Sequence, residues 1–190
     1  MIDPAQPDFA NTPLAPQRIR YGYTLAGVAP PVVSLVTPFY NTGEIFHETA
    51  QSVMAQSLQQ FEWIIVNDGS TDAAARRVLD VYRAIDARVR VLDLPHNVGS
   101  AAARNRGVDA ACTQLIAHLD SDDLLEPTAL EKWLWFMTSY PEFGAVTSYN
   151  VHFGVREWVR QNGFEVGRLI LEDNLVGMRS MVRRRVHLAA

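Results

Sequence analysis

Apolar residues fall along this chain in short blocks of two alternating kinds. One kind is a run of five or six residues rich in Val, Ile and Leu: Val32–Thr37, Phe61–Val66, Arg88–Leu92, Leu115–Leu119 and Gly144–Tyr149. Runs this short, bounded by Pro, Asn, Asp and Gly, predict buried strands. The other kind spaces its apolar residues three or four apart. Glu44–Leu58 places Phe46, Ala50, Val53, Met54 and Leu58 on one face, and Ala73–Ala87 does so with Val78, Leu79, Tyr82 and Ile85. Ser100–Cys112 is a helix of small residues, and Pro127–Ser139 presents Leu130, Leu134 and Met137, flanked by Trp133 or Trp135. Strand and helix alternate throughout, which predicts an α/β fold around a largely parallel, doubly wound sheet.

The pattern fails at both ends. Residues 1–31 carry six of the ten prolines and no periodicity, so they read as an extended N-terminal arm. After Asn150, Val155, Glu157 and Val159 alternate with Arg156, Trp158 and Arg160, and Asn162-Gly163 signals a hairpin turn. Leu169–Val186 mixes apolar residues with arginines and has no clear end. The expected division is 1–31 as arm, 32–150 as a ligand-binding domain and 151–190 as a further, partial segment.

Composition narrows the class. With 190 residues and 48% apolar content, one domain with a proper core is expected. No apolar run is long enough for a transmembrane segment and no basic-then-apolar leader opens the chain, so a cytoplasmic protein is expected, with the inner face of a membrane as one place it could sit. The single cysteine, Cys112, excludes an internal disulfide and reads as a buried, inert thiol. A net charge of −4 argues against a nucleic-acid partner. Basic residues are concentrated late: residues 1–150 hold 10 Arg/Lys against 17 Asp/Glu, and residues 151–190 hold 7 against 4. Arg183-Arg184-Arg185 reads as a solvated run.

Candidate chemistry collects where the strands end. Tyr40-Asn41, Asp68-Gly69-Ser70, Asn97-Val98-Gly99 and Asp120-Ser121-Asp122 follow the first four strands in turn. In a parallel sheet those ends form one rim, where α/β proteins bind ligands. The set suits a nucleoside diphosphate. Tyr40 can stack on a base and Asp68 can accept from a pyrimidine N–H. Arg104 reaches the phosphates from the helix opened by Gly99, while Asp120 and Asp122 can hold Mn²⁺ or Mg²⁺ against them. Each has a plainer alternative: Tyr40 as rim packing, Asp68 as a turn-shaping residue, Arg104 as a solvated helix residue, and the acids as a helix cap.

Val33–Asn41, Val66–Asp72, Asn97-Val98-Gly99 with Ala103–Gly107, and Leu119–Asp123 together resemble the motifs of glycosyltransferase family 2, in order and spacing. The resemblance covers about residues 32–127. It implies the GT-A fold, a Rossmann-like three-layer sandwich with a mostly parallel central sheet. It also implies metal-dependent, inverting transfer from a nucleotide-sugar donor to a saccharide, lipid-linked or protein acceptor. By resemblance, Pro38, Tyr40, Asn41, Asp68, Arg104, Asp120 and Ser121 contact the nucleotide, with a lean to uridine. Asp120 and Asp122 serve the metal, Asp122 chiefly.

The family's general base is an Asp, usually within a Glu-Asp pair. Glu172-Asp173 matches that pair, yet Asn174–Arg184 resembles the stretch that precedes it, which puts the base beyond Ala190 and leaves Asp173 a weak candidate. An apolar 169–186 without later elements to cover it would favour a homodimer. The alternatives are a binding fragment without transfer activity and a sugar-phosphate nucleotidyltransferase. The latter places a glycine-rich, basic loop after its first strand, unlike Thr37–Asn41. A dinucleotide-dependent oxidoreductase is disfavoured because no G-x-G-x-x-G follows a strand.

Overall fold

The computed structural model of the chain describes residues 30–154, 157–160 and 179–189. Strand β1 (Val33–Phe39) is buried along its whole length. It pairs in parallel with β2 (Phe61–Asn67) on one side and with β4 (Leu115–His118) on the other, and β3 (Val89–Asp93) lies parallel outside β2. Beyond β4 come β8 (Ser180–Arg183) and then β5 (Ala145–Thr147), with β8 antiparallel to both. The six-stranded order is β3-β2-β1-β4-β8-β5.

Period-two alternation divides the core into two layers. Leu35, Trp63, Ile65 and Ala117 pack against Phe46 and Val53 of α1 (Phe46–Met54), Leu79 of α2 (Ala73–Tyr82), and Leu130 and Trp133 of α4 (Ala129–Ser139). Val36, Ile64, Val66 and Ile116 face the opposite layer, against Ala103 and Val108 of α3 (Ser100–Ala110). Burying each such aliphatic side chain contributes about 1.5–3 kcal/mol. Trp63 satisfies its indole N–H within the core by donating to Thr37 Oγ1 at 3.0 Å. The mostly parallel sheet is as the residue pattern predicts, and the three-layer sandwich is as the resemblance implies.

Three local expectations are corrected. α1 stops at Met54 because Gln56 is drawn toward α4: its Nε2 donates to the Ser52 and Glu126 carbonyls, and its Oε1 accepts from the Leu130 N–H. Leu58 is buried from a loop. α2 ends at Tyr82, and the Asp86 carboxylate accepts from the Arg88 N–H at 2.8 Å in a turn that starts β3, leaving Ile85 exposed. α3 ends at Ala110. The Cys112 N–H donates to Glu62 at 2.6 Å beyond the helix, so the thiol is exposed rather than buried.

The chain after Asn150 differs more. β7 (Trp158–Arg160) pairs antiparallel with the preceding β6 (Asn150–His152), as a separate two-stranded sheet in which the rings of Trp158 and His152 stack at 4.0 Å. Asn162-Gly163 and Glu172-Asp173 lie outside the described residues. The expectation of an uncovered apolar surface fails at Met181 and Val182, because β8 inserts between β4 and β5 and Met181 is fully buried.

Arg183 and Arg184 are not a solvated run either. Arg183 donates to the Met137 carbonyl at 2.6 Å and the Phe143 carbonyl at 2.9 Å, close to the end of α4. Arg184, which opens the short helix α5 (Arg184–His187), donates to the Asp109 carbonyl near the end of α3. Cations there complement the exposed carbonyls of a helix C-terminus. Arg185 alone of the three is exposed.

Candidate functional site

The strand order reverses at β1: β2 and β3 lie to one side and β4 to the other. Loops leaving β1 and β4 therefore diverge and open a crevice at the carboxyl edge. A cleft of about 260 Å³ sits there, lined by Pro38, Tyr40, Asp68, Arg104, Asp120, Ser121 and Asp122. Phe39 and Ser100 line it too. Phe39 lies within the Val33–Asn41 motif but was not singled out as a contact residue, and Ser100 follows the Gly99 that opens α3, which was the available hint.

Asn41, also expected to contact ligand, is not among the residues lining the cleft, and it braces the wall. It holds a left-handed φ of 52°. Its Oδ1 accepts from the N–H groups of Thr71 and Asp72, each at 2.9 Å, and its Nδ2 donates to Thr71 Oγ1 at 3.2 Å. This ties the loop after β1 to the loop after β2. Asp72 in turn caps α2 by accepting from the Ala75 N–H at 2.7 Å.

Asp68 is only 2% exposed. Its two carboxylate oxygens accept from the Val98 and Gly99 N–H groups at 2.7 and 3.0 Å, so it organises the loop after β3 as well as lining the cleft. A buried carboxylate needs such donors. Each oxygen retains a further lone pair for a ligand N–H. Gly69 makes the contact between loops possible: at φ +66°, any Cβ there would lie 2.5 Å from the His96 carbonyl carbon. Tyr40 lines the cleft and is 45% exposed.

The acidic loop after β4 is fixed from several sides. Arg104 of α3 pairs with Asp120. Ser121 shares a 2.6 Å hydrogen bond with Thr42 Oγ1, and its carbonyl accepts from the buried Thr49 hydroxyl at 3.0 Å. Asp123 is held by Arg179 through two parallel hydrogen bonds, the one from Nε at 2.6 Å. Thr42, Thr49 and Arg179 escape sequence reasoning because their partners are distant in the chain. Beneath the loop, His118 is buried beside the His187 ring at 5.5 Å, with no hydrogen-bond partner for Nδ1 among the described residues. Burial, aided by the charges of His187 and Arg104 and opposed by Asp120, pushes its pKa down to about 4.

Asp122 has no protein partner among the described residues, and it faces the cleft. The described residues contain no cluster of three His, Cys, Asp or Glu side chains able to hold an ion alone. One free carboxylate beside an arginine-paired one fits a hard divalent cation only where phosphate oxygens and water complete its shell. A cation shared with a bound diphosphate suits this donor set.

Comparison with known proteins decides the family. The sequence profile described as Glycosyl transferase family 2 matches residues 34–185. The chain belongs to that family. A putative teichuronic acid biosynthesis glycosyltransferase of Bacillus subtilis, TuaG, is 40% identical over 121 residues, 64% of this chain and 48% of that protein. The glycosyltransferase GlyG of Streptococcus pneumoniae is 37% identical over 53% of this chain and 33% of its own length. This family member thus spans less than half the length of these relatives. Among solved structures, S. aureus TarS in complex with UDP-GlcNAc superposes with a TM-score of 0.62 at 21% identity, covering 83% of this chain and 47% of TarS. The Pyrobaculum calidifontis mannosyltransferase PcManGT, in complex with GDP-Man and Mn²⁺, gives 0.52 at 22% identity, covering 62% and 35%. At these identities the shared property is the GT-A fold. No described helix is long and apolar enough to cross a membrane.

Proposed function

We propose that this chain forms the donor side of a metal-dependent, inverting glycosyltransferase that uses a nucleoside diphosphate sugar, with uridine favoured. The observation that carries the reading is the convergence of Tyr40, Asp68, Arg104, Asp120 and Asp122 on one cleft at the sheet's switch point. In this reading the base stacks on Tyr40 and a ring N–H is accepted by Asp68. The diphosphate lies toward Arg104 and the first turn of α3, whose N-cap Gly99 leaves the helix without a side-chain cap. Such an uncapped N-terminus favours anions.

Transfer is a single displacement: the acceptor oxygen bonds to the anomeric carbon while the bond from that carbon to the diphosphate oxygen breaks, which inverts the centre. When bound, Mn²⁺ or Mg²⁺ supplies charge stabilisation for the departing diphosphate. Asp122 would hold it, with Asp120 beside it, while the arginine at 104 balances the leaving charge. Fixed groups aimed at developing charge are commonly the largest catalytic contribution. The base that takes the acceptor proton is assigned to none of the described residues, and Asp173 lies outside them. The name of TuaG and the UDP-GlcNAc complex of TarS support a uridine nucleotide and a cell-envelope polymer as the acceptor class.

Calorimetric titration with UDP, GDP, TDP and pyrophosphate, each with and without Mn²⁺, tests the reading. UDP should bind best and more tightly with Mn²⁺. Equal affinity for UDP and bare pyrophosphate, or no effect of Mn²⁺, would overturn it.

A further inference from the structure

The acidic loop carries three carboxylates within four residues, yet they are not equivalent. Asp120 is paired with Arg104. Asp123, whose side chain is 19% exposed, is gripped by both arms of the Arg179 guanidinium, itself 29% exposed. A planar fork on a carboxylate fixes orientation as well as charge, and no other side chain reproduces it. Arg179 is anchored in turn, since its carbonyl accepts from Thr147 Oγ1 at 3.1 Å and the next residue begins β8. The clamp therefore ties the loop after β4 to the β5–β8 edge of the sheet. Thr42 and Thr49 tie the same loop to the β1 side through Ser121. Asp122 sits between these anchors and is the one acid of the three without a partner among the described residues.

We propose that Arg179 is a positioning residue of the donor site, which acts through Asp123 so that Asp122 is presented to the cation. This rests on the donor-site reading above. Clamping has two effects. It fixes the backbone on the carboxyl side of Asp122, and it occupies Asp123, which would otherwise offer the cation a competing carboxylate one residue away. Arg179 does not line the cleft, so its effect on the nucleotide is indirect. The base contacts proposed at Tyr40 and Asp68 belong to other loops and should not depend on it.

The test is calorimetric binding of UDP to the full chain, its Arg179→Met variant and its Arg179→Lys variant, each with and without Mn²⁺. Electron paramagnetic resonance of Mn²⁺ in the UDP complex provides a second readout, and circular dichroism verifies folding. Loss of a group that orients a metal ligand typically lowers metal affinity by about 10–100-fold. Arg179→Met should therefore lose most of the Mn²⁺-dependent gain in UDP affinity while metal-free UDP binding changes less than about twofold, with a broadened Mn²⁺ spectrum. Arg179→Lys, which keeps the charge but not the fork, should fall between. A Met variant that keeps the full Mn²⁺-dependent gain, or one that loses metal-free and Mn²⁺-dependent binding alike, would overturn the clamp alone. Absence of any Mn²⁺ effect in the unaltered chain would instead overturn the donor-site reading, and the clamp with it.

Discussion

Gly69→Ala isolates the contact that joins two walls of the cleft. The glycine has φ +66°, and a left-handed alanine costs about 1–2 kcal/mol. The new Cβ would also lie 2.5 Å from the His96 carbonyl carbon and 2.7 Å from the Asn97 nitrogen. Restoring ordinary carbon contact needs a retreat of roughly 1 Å by the loop backbone. Overpacking of that kind adds about 1–3 kcal/mol, so the total loss should be about 2–5 kcal/mol. Gly43→Ala is an internal control, because Gly43 has φ +69° and a methyl group added there would meet nothing within 4 Å. It should lose only the backbone component, about 1–2 kcal/mol. Urea unfolding followed by tryptophan fluorescence and circular dichroism measures both. UDP affinity should also fall in Gly69→Ala, because moving residues 96–97 carries the Val98 and Gly99 N–H groups away from Asp68. Equal destabilisation of the two variants would refute the argument that backbone contact, rather than dihedral strain, makes position 69 special.

Asp122→Asn should leave the fold intact and abolish Mn²⁺-dependent UDP binding, since an amide oxygen is a poorer ligand for a hard cation. Calorimetry with and without Mn²⁺ checks it, and retained metal dependence would remove Asp122 from the site. Tyr40→Ala should weaken UDP by about 1–3 kcal/mol if the ring stacks on the base, while Tyr40→Phe should be nearly silent. Equal losses in both variants would mean that the hydroxyl matters. Asp68→Ala should cost UDP more affinity than pyrophosphate, because a site that pairs a buried N–H discriminates by it. Equal losses would reduce Asp68 to its contacts with Val98 and Gly99.

What was legible in the sequence follows from how locally each feature is determined. β1, β2 and β4 are buried on both faces, so their apolar runs are nearly continuous and readable. The carboxyl-edge residues were readable because parallel topology alone brings strand ends to one rim. β8 was not readable. Met181-Val182 is flanked by arginines, and only insertion between β4 and β5 shows why: Arg183 serves the end of α4 and Arg184 that of α3. Helix ends were misjudged where a distant partner sets them, as Gln56 does for α1 and Glu62 for α3. Asn41 shows the same limit within the site. Its residue type marks it as a candidate contact, while its role in bracing two loops through Thr71 and Asp72 depends on partners about 30 residues away in the chain.

Glu62 links acid stability to the same architecture. Its side chain is 15% exposed beside the amino end of β1. Burial opposes ionisation, but the Ser34 hydroxyl at 2.5 Å, the Cys112 N–H at 2.6 Å and the Arg90 guanidinium at 3.6 Å outweigh it and hold the carboxyl below its usual pKa. A carboxyl depressed on folding binds fewer protons in the native than in the unfolded chain. Its contribution is therefore complete above the unfolded pKa of about 4.3 and is lost as pH falls through the lower native value. Asp86 and Asp93, depressed chiefly by hydrogen bonds from Arg88 and Arg83, act in the same direction. Glu62→Gln keeps an acceptor for Ser34 and Cys112 but removes the charge. Since hydrogen bonds to charged groups exceed neutral ones by about 1 kcal/mol, the variant should be about 1–2 kcal/mol less stable at pH 7. That gap should narrow steadily below about pH 4.5, as the native glutamic acid becomes neutral too. Urea unfolding at pH 7, 5, 4 and 3 measures the gap directly. Parallel stability curves for the two proteins across that range would show that the ionised carboxylate does not hold the Ser34–Cys112 junction together.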